Sequence, residues 1–180
     1  MNSRKGLVCA ACVVLLSLGM CNSAWAQGAY DGHRVRMARE WFGGAIERIV
    51  LVGPGLEAQD WPSPLFWDID ISGDTIEVIE KSAGYYTPGE YNGVLFQDVD
   101  GTIPEIIGVT VASDLVPLSG YPPMDESRIT SDADTIWVDF QGLENGPSMM
   151  TTLTVKFVPE PATVTLLALG PLFLLRRRRC

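Results

Sequence analysis

The chain predicts an all-β fold, an antiparallel β-sandwich of jelly-roll-like type, over residues 27–157. Three observations carry this. Apolar and polar residues alternate with period 2 in short runs; clusters of Gly, Pro, Asn and Asp separate the runs; and no segment sustains a helical period.

Taken in order, His33-Arg34-Val35-Arg36-Met37 alternates, as does Asp68-Ile69-Asp70-Ile71. Asp74 to Lys81 is rich in β-branched residues and follows a Ser72-Gly73 turn. The runs opening at Gly93 (GVLFQDV), Ile106 (IIGVTVA), Asp134 (DTIWVDF) and Thr151 (TTLTVKF) complete the set. In the last of these, Leu153, Val155 and Phe157 share one face, while Thr152, Thr154 and Lys156 share the other. Turns are expected at VGPGLE from Val52, TPGEYNG from Thr87 and SGYPP from Ser119, where Gly permits positive φ and Pro fixes φ near −65°. Only Arg36 to Ile49 competes as a helix. Its central Gly43-Gly44 pair costs about 2 kcal/mol relative to alanine, so two strands joined there are expected.

The first 26 residues read as a secretory signal peptide. Arg4 and Lys5 supply a positive start, Leu7 to Met20 an apolar stretch, and Ala24-Trp25-Ala26 the small residues of a cleavage site before Gln27. Signal peptidase is the implied partner. Lipidation at Cys12 or Cys21 fits less well: Met20 precedes Cys21 where a small residue is normal, and Cys12 lies close to the basic start.

Residues 27–157 suffice for one domain with a core. Cys9, Cys12, Cys21 and Cys180 all lie outside it, so packing rather than disulfides must stabilise it. It carries 7 basic and 21 acidic residues, a formal charge of −14. Such a domain repels a phosphate backbone, which argues against a nucleic-acid partner.

Most chemical signatures are missing. His33 is the one histidine, no serine sits in a Gly-x-Ser-x-Gly elbow, and no phosphate-cradling glycine loop or Cys/His zinc spacing occurs. No catalytic residue is therefore expected, and no obligatory cofactor. Acidic pairs stand above this background. Asp68 and Asp70 fall on one strand face, while Asp98-Val99-Asp100-Gly101 and Asp132-Ala133-Asp134 fall at turns. Asp98 and Asp100 are candidate calcium ligands, since that ion takes converging carboxylate and carbonyl oxygens. The competing reading is that turn aspartates bond their own backbone. A carboxylate pair for glycoside hydrolysis would need a separation of about 5–10 Å, which sequence does not display. Trp61, Trp67 and Trp137 are candidates for stacking on sugar rings if they reach the surface; the competing reading buries them.

The C-terminal segment is of a different kind. Ala162 to Leu175 is apolar but shorter than the roughly 20 residues of an ideal membrane-spanning helix. Arg176, Arg177, Arg178 and Arg179 follow directly, and the positive-inside rule would hold them in the cytoplasm. A transmembrane helix with the ectodomain outside is the expected topology. Residues 158–180, with Pro159-Glu160-Pro161, the apolar helix and the terminal arginines in that order, resemble the PEP-CTERM sorting signal of exported bacterial proteins. The resemblance implies an exosortase-type membrane enzyme as partner, with Pro159, Glu160 and Pro161 as recognition motif and the arginines as retention element. Cys180 departs from that pattern. The same module is also described as an ice-binding protein C-terminal domain, a label that belongs to the tail. By this resemblance the protein is expected in the cell envelope or extracellular matrix, with a structural or adhesive domain. The alternative is a module that binds exopolysaccharide.

Overall fold

Two paired strands, not a helix, occupy the segment that competed as a helix. β1 (Arg34–Trp41) pairs antiparallel with β2 (Gly44–Leu51), from Arg34 opposite Leu51 to Trp41 opposite Gly44. The computed structural model describes residues 28–41, 44–89 and 91–159. The expected signal peptide with Ala24, Ala26 and Gln27 lies outside the described residues. So do Glu160, Pro161, the expected membrane helix and Arg176 to Arg179. No helix among the described residues is long and apolar enough to cross a membrane.

A meander follows the hairpin: β3 (Ala58–Trp61), β4 (Trp67–Ser72) and β5 (Thr75–Glu80). Next come β6 (Gly84–Tyr85), β7 (Gly93–Asp98), β8 (Ile106–Ser113) and β9 (Val116–Pro117). A single 3-10 turn at Glu126–Arg128 leads into β10 (Ile129–Ser131), β11 (Thr135–Asp139), β12 (Leu143–Asn145) and β13 (Met150–Phe157). These strands form two five-stranded antiparallel sheets, ordered β10-β11-β7-β1-β2 and β3-β4-β5-β13-β8, and a small third sheet, β6-β12-β9. All seven alternating runs read from the sequence are strands.

The core forms where the inward phases of the two large sheets meet. Val35, Met37, Val94, Phe96, Ile136 and Val138 come from the first sheet, and Ile69, Ile71, Ile76, Val78, Leu153 and Val155 from the second. Each fully buried Val, Ile or Phe contributes about 1.5–3 kcal/mol relative to exposure, which makes this face-to-face packing the main stabilising term. In β13 the expected phase holds: Leu153 and Val155 are buried, while Thr154 and Lys156 are exposed. Gly93 is required by close packing. A Cβ there would lie 1.8 Å from the Val138 carbonyl oxygen on the paired strand β11 and 2.9 Å from the Tyr91 ring and hydroxyl.

The same alternation carries two charged residues inward. In β1 the core phase runs Val35, Met37, Arg39, and in β5 it runs Ile76, Val78, Glu80. Arg39 is 6% exposed and Glu80 3%. They mark one end of the sandwich, where the small third sheet reaches Glu80 through Asn145.

Candidate functional site

A cleft of about 910 Å³ opens at that end. Its walls come from β1 and β2 (Arg39, Trp41, Ile46), from the segment entering β4 (Pro62, Leu65, Phe66), and from residues 84–89 around β6. The register explains the first wall. Arg39 pairs with Ile46 and Trp41 with Gly44, so all of them lie on the inner face where the facing sheet no longer covers them. Trp41, Phe66 and Tyr85 are 37%, 39% and 66% exposed, an aromatic rim on a charged domain.

Beneath the rim lies a buried polar cluster. Trp67 and Glu80 are opposite each other on β4 and β5. The Trp67 indole N–H donates to Glu80 Oε1 at 3.1 Å and reaches the Tyr86 hydroxyl at 2.8 Å. Tyr86 donates to the same Glu80 oxygen, and Asn145 Nδ2 donates to Glu80 Oε2 at 2.8 Å. Pairing of β12 with β6, with Asn145 opposite Gly84, brings that amide into place. Burial pushes the Glu80 carboxyl above its usual range, against the opposing hydrogen bonds and the Arg39 charge. Burial likewise raises the Tyr86 hydroxyl well above a free phenol.

Arg39 is the cation of this cleft. Its guanidinium lies over four rings: Trp67 at 5.0 Å, Phe66 at 5.6 Å, Trp41 at 5.7 Å and Tyr86 at 5.8 Å to the centroids. Nη1 donates to the Glu40 carbonyl, and Nε has no partner. Burial lowers its pKa, yet an arginine remains charged at neutral pH. Asn92, also lining the cleft and 7% exposed, leaves its Oδ1 unpartnered.

The sugar-stacking expectation needs correction at two of its three tryptophans. Trp67 is 0% exposed and Trp61 6%, because Trp67 shares the inward phase of Ile69 and Ile71, and Trp61 pairs with it across β3 and β4. Both are core residues, with ring centroids 5.9 Å apart. Trp137 does point outward, out of phase with buried Ile136 and Val138, but is half-buried in a separate groove of about 310 Å³. The three tryptophans share no exposed face.

The acidic turns bond their own backbone. Asp98 is buried and accepts from the amides of Asp100 (3.0 Å) and Ile103 (2.8 Å). Asp100 turns instead to Arg34, whose hydrogen bond holds its carboxyl below the usual range. Asp132 Oδ1 accepts from the amides of Asp134 and Thr135. Asp68 joins Asp60 in holding Lys81. No group of three or more potential metal-ligating side chains occurs among the described residues. The geometry thus gives the Asp98 and Asp100 carboxylates protein partners of their own.

Arg39, Trp41, Phe66, Tyr85, Asn92 and Asn145 were not among the residues expected from sequence. A signal existed for Arg39 alone, a charge at the core phase of an otherwise apolar alternation. The rest come together only through pairing of distant strands. The chain matches no family model, no curated protein and no solved structure.

Proposed function

We propose that this protein is an exported, non-catalytic component of the cell envelope or extracellular matrix whose β-sandwich binds carbohydrate through the Arg39 cleft. The observation that carries this reading is the exposed rim of Trp41, Phe66 and Tyr85 around a concave site containing partly unsatisfied polar groups. Sugar rings present C–H faces that lie on aromatic rings and hydroxyls that seek amide and guanidinium partners. The described residues lining the cleft contribute no Asp or Glu. The adhesive role expected from sequence therefore takes a specific form, attachment to exopolysaccharide.

Delivery to that polymer rests on the two ends of the chain. The signal peptide with cleavage before Gln27, the Pro159-Glu160-Pro161 motif, the apolar helix and the arginines together support export, membrane retention and processing by an exosortase-type enzyme. Pro159, the first residue of that motif, is exposed just beyond β13.

A glycan array probed with the full chain tests the binding function. Binding to one or more polysaccharides, lost on Tyr85→Ala, is expected. A blank array, or binding that the substitution leaves intact, contradicts it.

A further inference from the structure

The glycan reading leaves open which class of sugar the cleft takes. We infer that the ligand is an acidic glycan, and that Arg39 receives the carboxylate of a uronic-acid residue while the Asn92 side-chain oxygen accepts a hydroxyl of the same polymer. This rests on the cleft being a carbohydrate site.

Two buried arginines in one domain make the case by contrast. Arg128, 8% exposed, donates to the backbone carbonyls of Pro122, Pro123, Asp139 and Gln141, so its fork is satisfied within the protein. Arg39, 6% exposed, gives one hydrogen bond to a carbonyl, and its Nε–H points to nothing. It has no ion pair among the described residues. The paired acids are Asp100 with Arg34, Glu47 with Arg36, and Asp60 and Asp68 with Lys81. Glu80 already accepts from Trp67, Tyr86 and Asn145.

The Glu80 charge acts on Arg39, but its oxygens are taken by Trp67, Tyr86 and Asn145. A buried cation with no ion-paired carboxylate among the described residues is costly unless its surroundings compensate. The four aromatic rings offset part of that cost without using its N–H groups. What remains is a preorientated donor, matched in geometry to a carboxylate. The second orphan in the same cleft, Asn92 Oδ1, calls for a donor. A carboxylate and hydroxyls on one ring, with an apolar face for Trp41, Phe66 or Tyr85, satisfy all three demands.

The domain's charge of −14 sets a further condition. At long range it repels a polyanion, and salt screens that repulsion more than it screens a contact inside the cleft. Acidic-glycan binding here should therefore hold or tighten as salt rises from low to physiological strength. Attraction to a surface basic patch would weaken instead.

Calorimetric titration of the detergent-solubilised full chain with oligogalacturonate, its fully methyl-esterified form, and a neutral cello-oligosaccharide tests the inference. Oligogalacturonate should bind about ten- to a hundredfold tighter than the ester, the range expected for loss of a charged hydrogen bond. Arg39→Gln should erase that preference while leaving residual binding of the ester. If Arg39→Gln does not fold, the comparison of acid with ester on the unaltered chain still decides. Equal affinity for acid and ester overturns the carboxylate assignment and leaves the glycan reading standing. Binding of none of the three, with or without capture of a peptide bearing a free C-terminal carboxylate, overturns both.

Discussion

Trp67 and Glu80 are cross-strand partners on β4 and β5, and the indole N–H of one donates to the carboxylate of the other at 3.1 Å. The pair lies under the cleft and ties an aromatic core to a buried acid. Because burial raises the Glu80 pKa from an ordinary 4.5, the folded chain takes up this proton more readily than the unfolded chain. The stability it contributes is fully present below about 4.5 and is lost as pH rises through the higher folded value. Glu80→Gln removes this dependence. Urea melts across pH should show the stability difference, wild type minus variant, falling as pH rises out of the acid range. A difference that grows with pH would contradict the assignment.

Tyr86→Phe deletes one donor to Glu80 and one acceptor for Trp67. With Tyr86 5% exposed, water cannot readily replace either bond. A loss of about 1–3 kcal/mol in urea unfolding is expected.

Asp98→Ala should cost a similar 1–3 kcal/mol, roughly, in calcium-free buffer, since the amides of Asp100 and Ile103 lose their acceptor. Millimolar calcium should leave the wild-type melting temperature unchanged. A rise of several degrees that Asp100→Asn abolishes would restore the calcium reading.

Arg128 and Trp41 should separate stability from binding. Arg128→Gln strips donors from four backbone carbonyls and should destabilise by more than about 3 kcal/mol. Trp41→Ala, at a 37% exposed position on the rim, should change stability by about 1 kcal/mol or less. Chemical denaturation of both variants checks the ordering.

The sheets were legible because period 2 is a local property. The seven alternating runs, the pairing of β1 with β2 and the inward face of β13 all follow from residue type and phase. β3, β6, β9, β10 and β12 were not legible: runs of 2–4 residues hold too few alternations to show a period, and long-range pairing defines them. The tryptophans show the limit more sharply. Trp67 could have been placed inside by its phase with Ile69 and Ile71. The exposure of Trp41, by contrast, depends on where the opposite sheet stops. A cleft made by incomplete coverage leaves only one trace in the chain, a charge at an inward position, as at Arg39 and Glu80.

The most direct measurement is a crystal structure of the full chain with a bound oligogalacturonate. A sugar ring should lie against at least one of Trp41, Phe66 and Tyr85, with its carboxylate within hydrogen-bond distance of the Arg39 guanidinium. A ligand seated elsewhere, on the Trp137 groove for instance, or in the cleft with its carboxylate turned away from Arg39, would contradict the account.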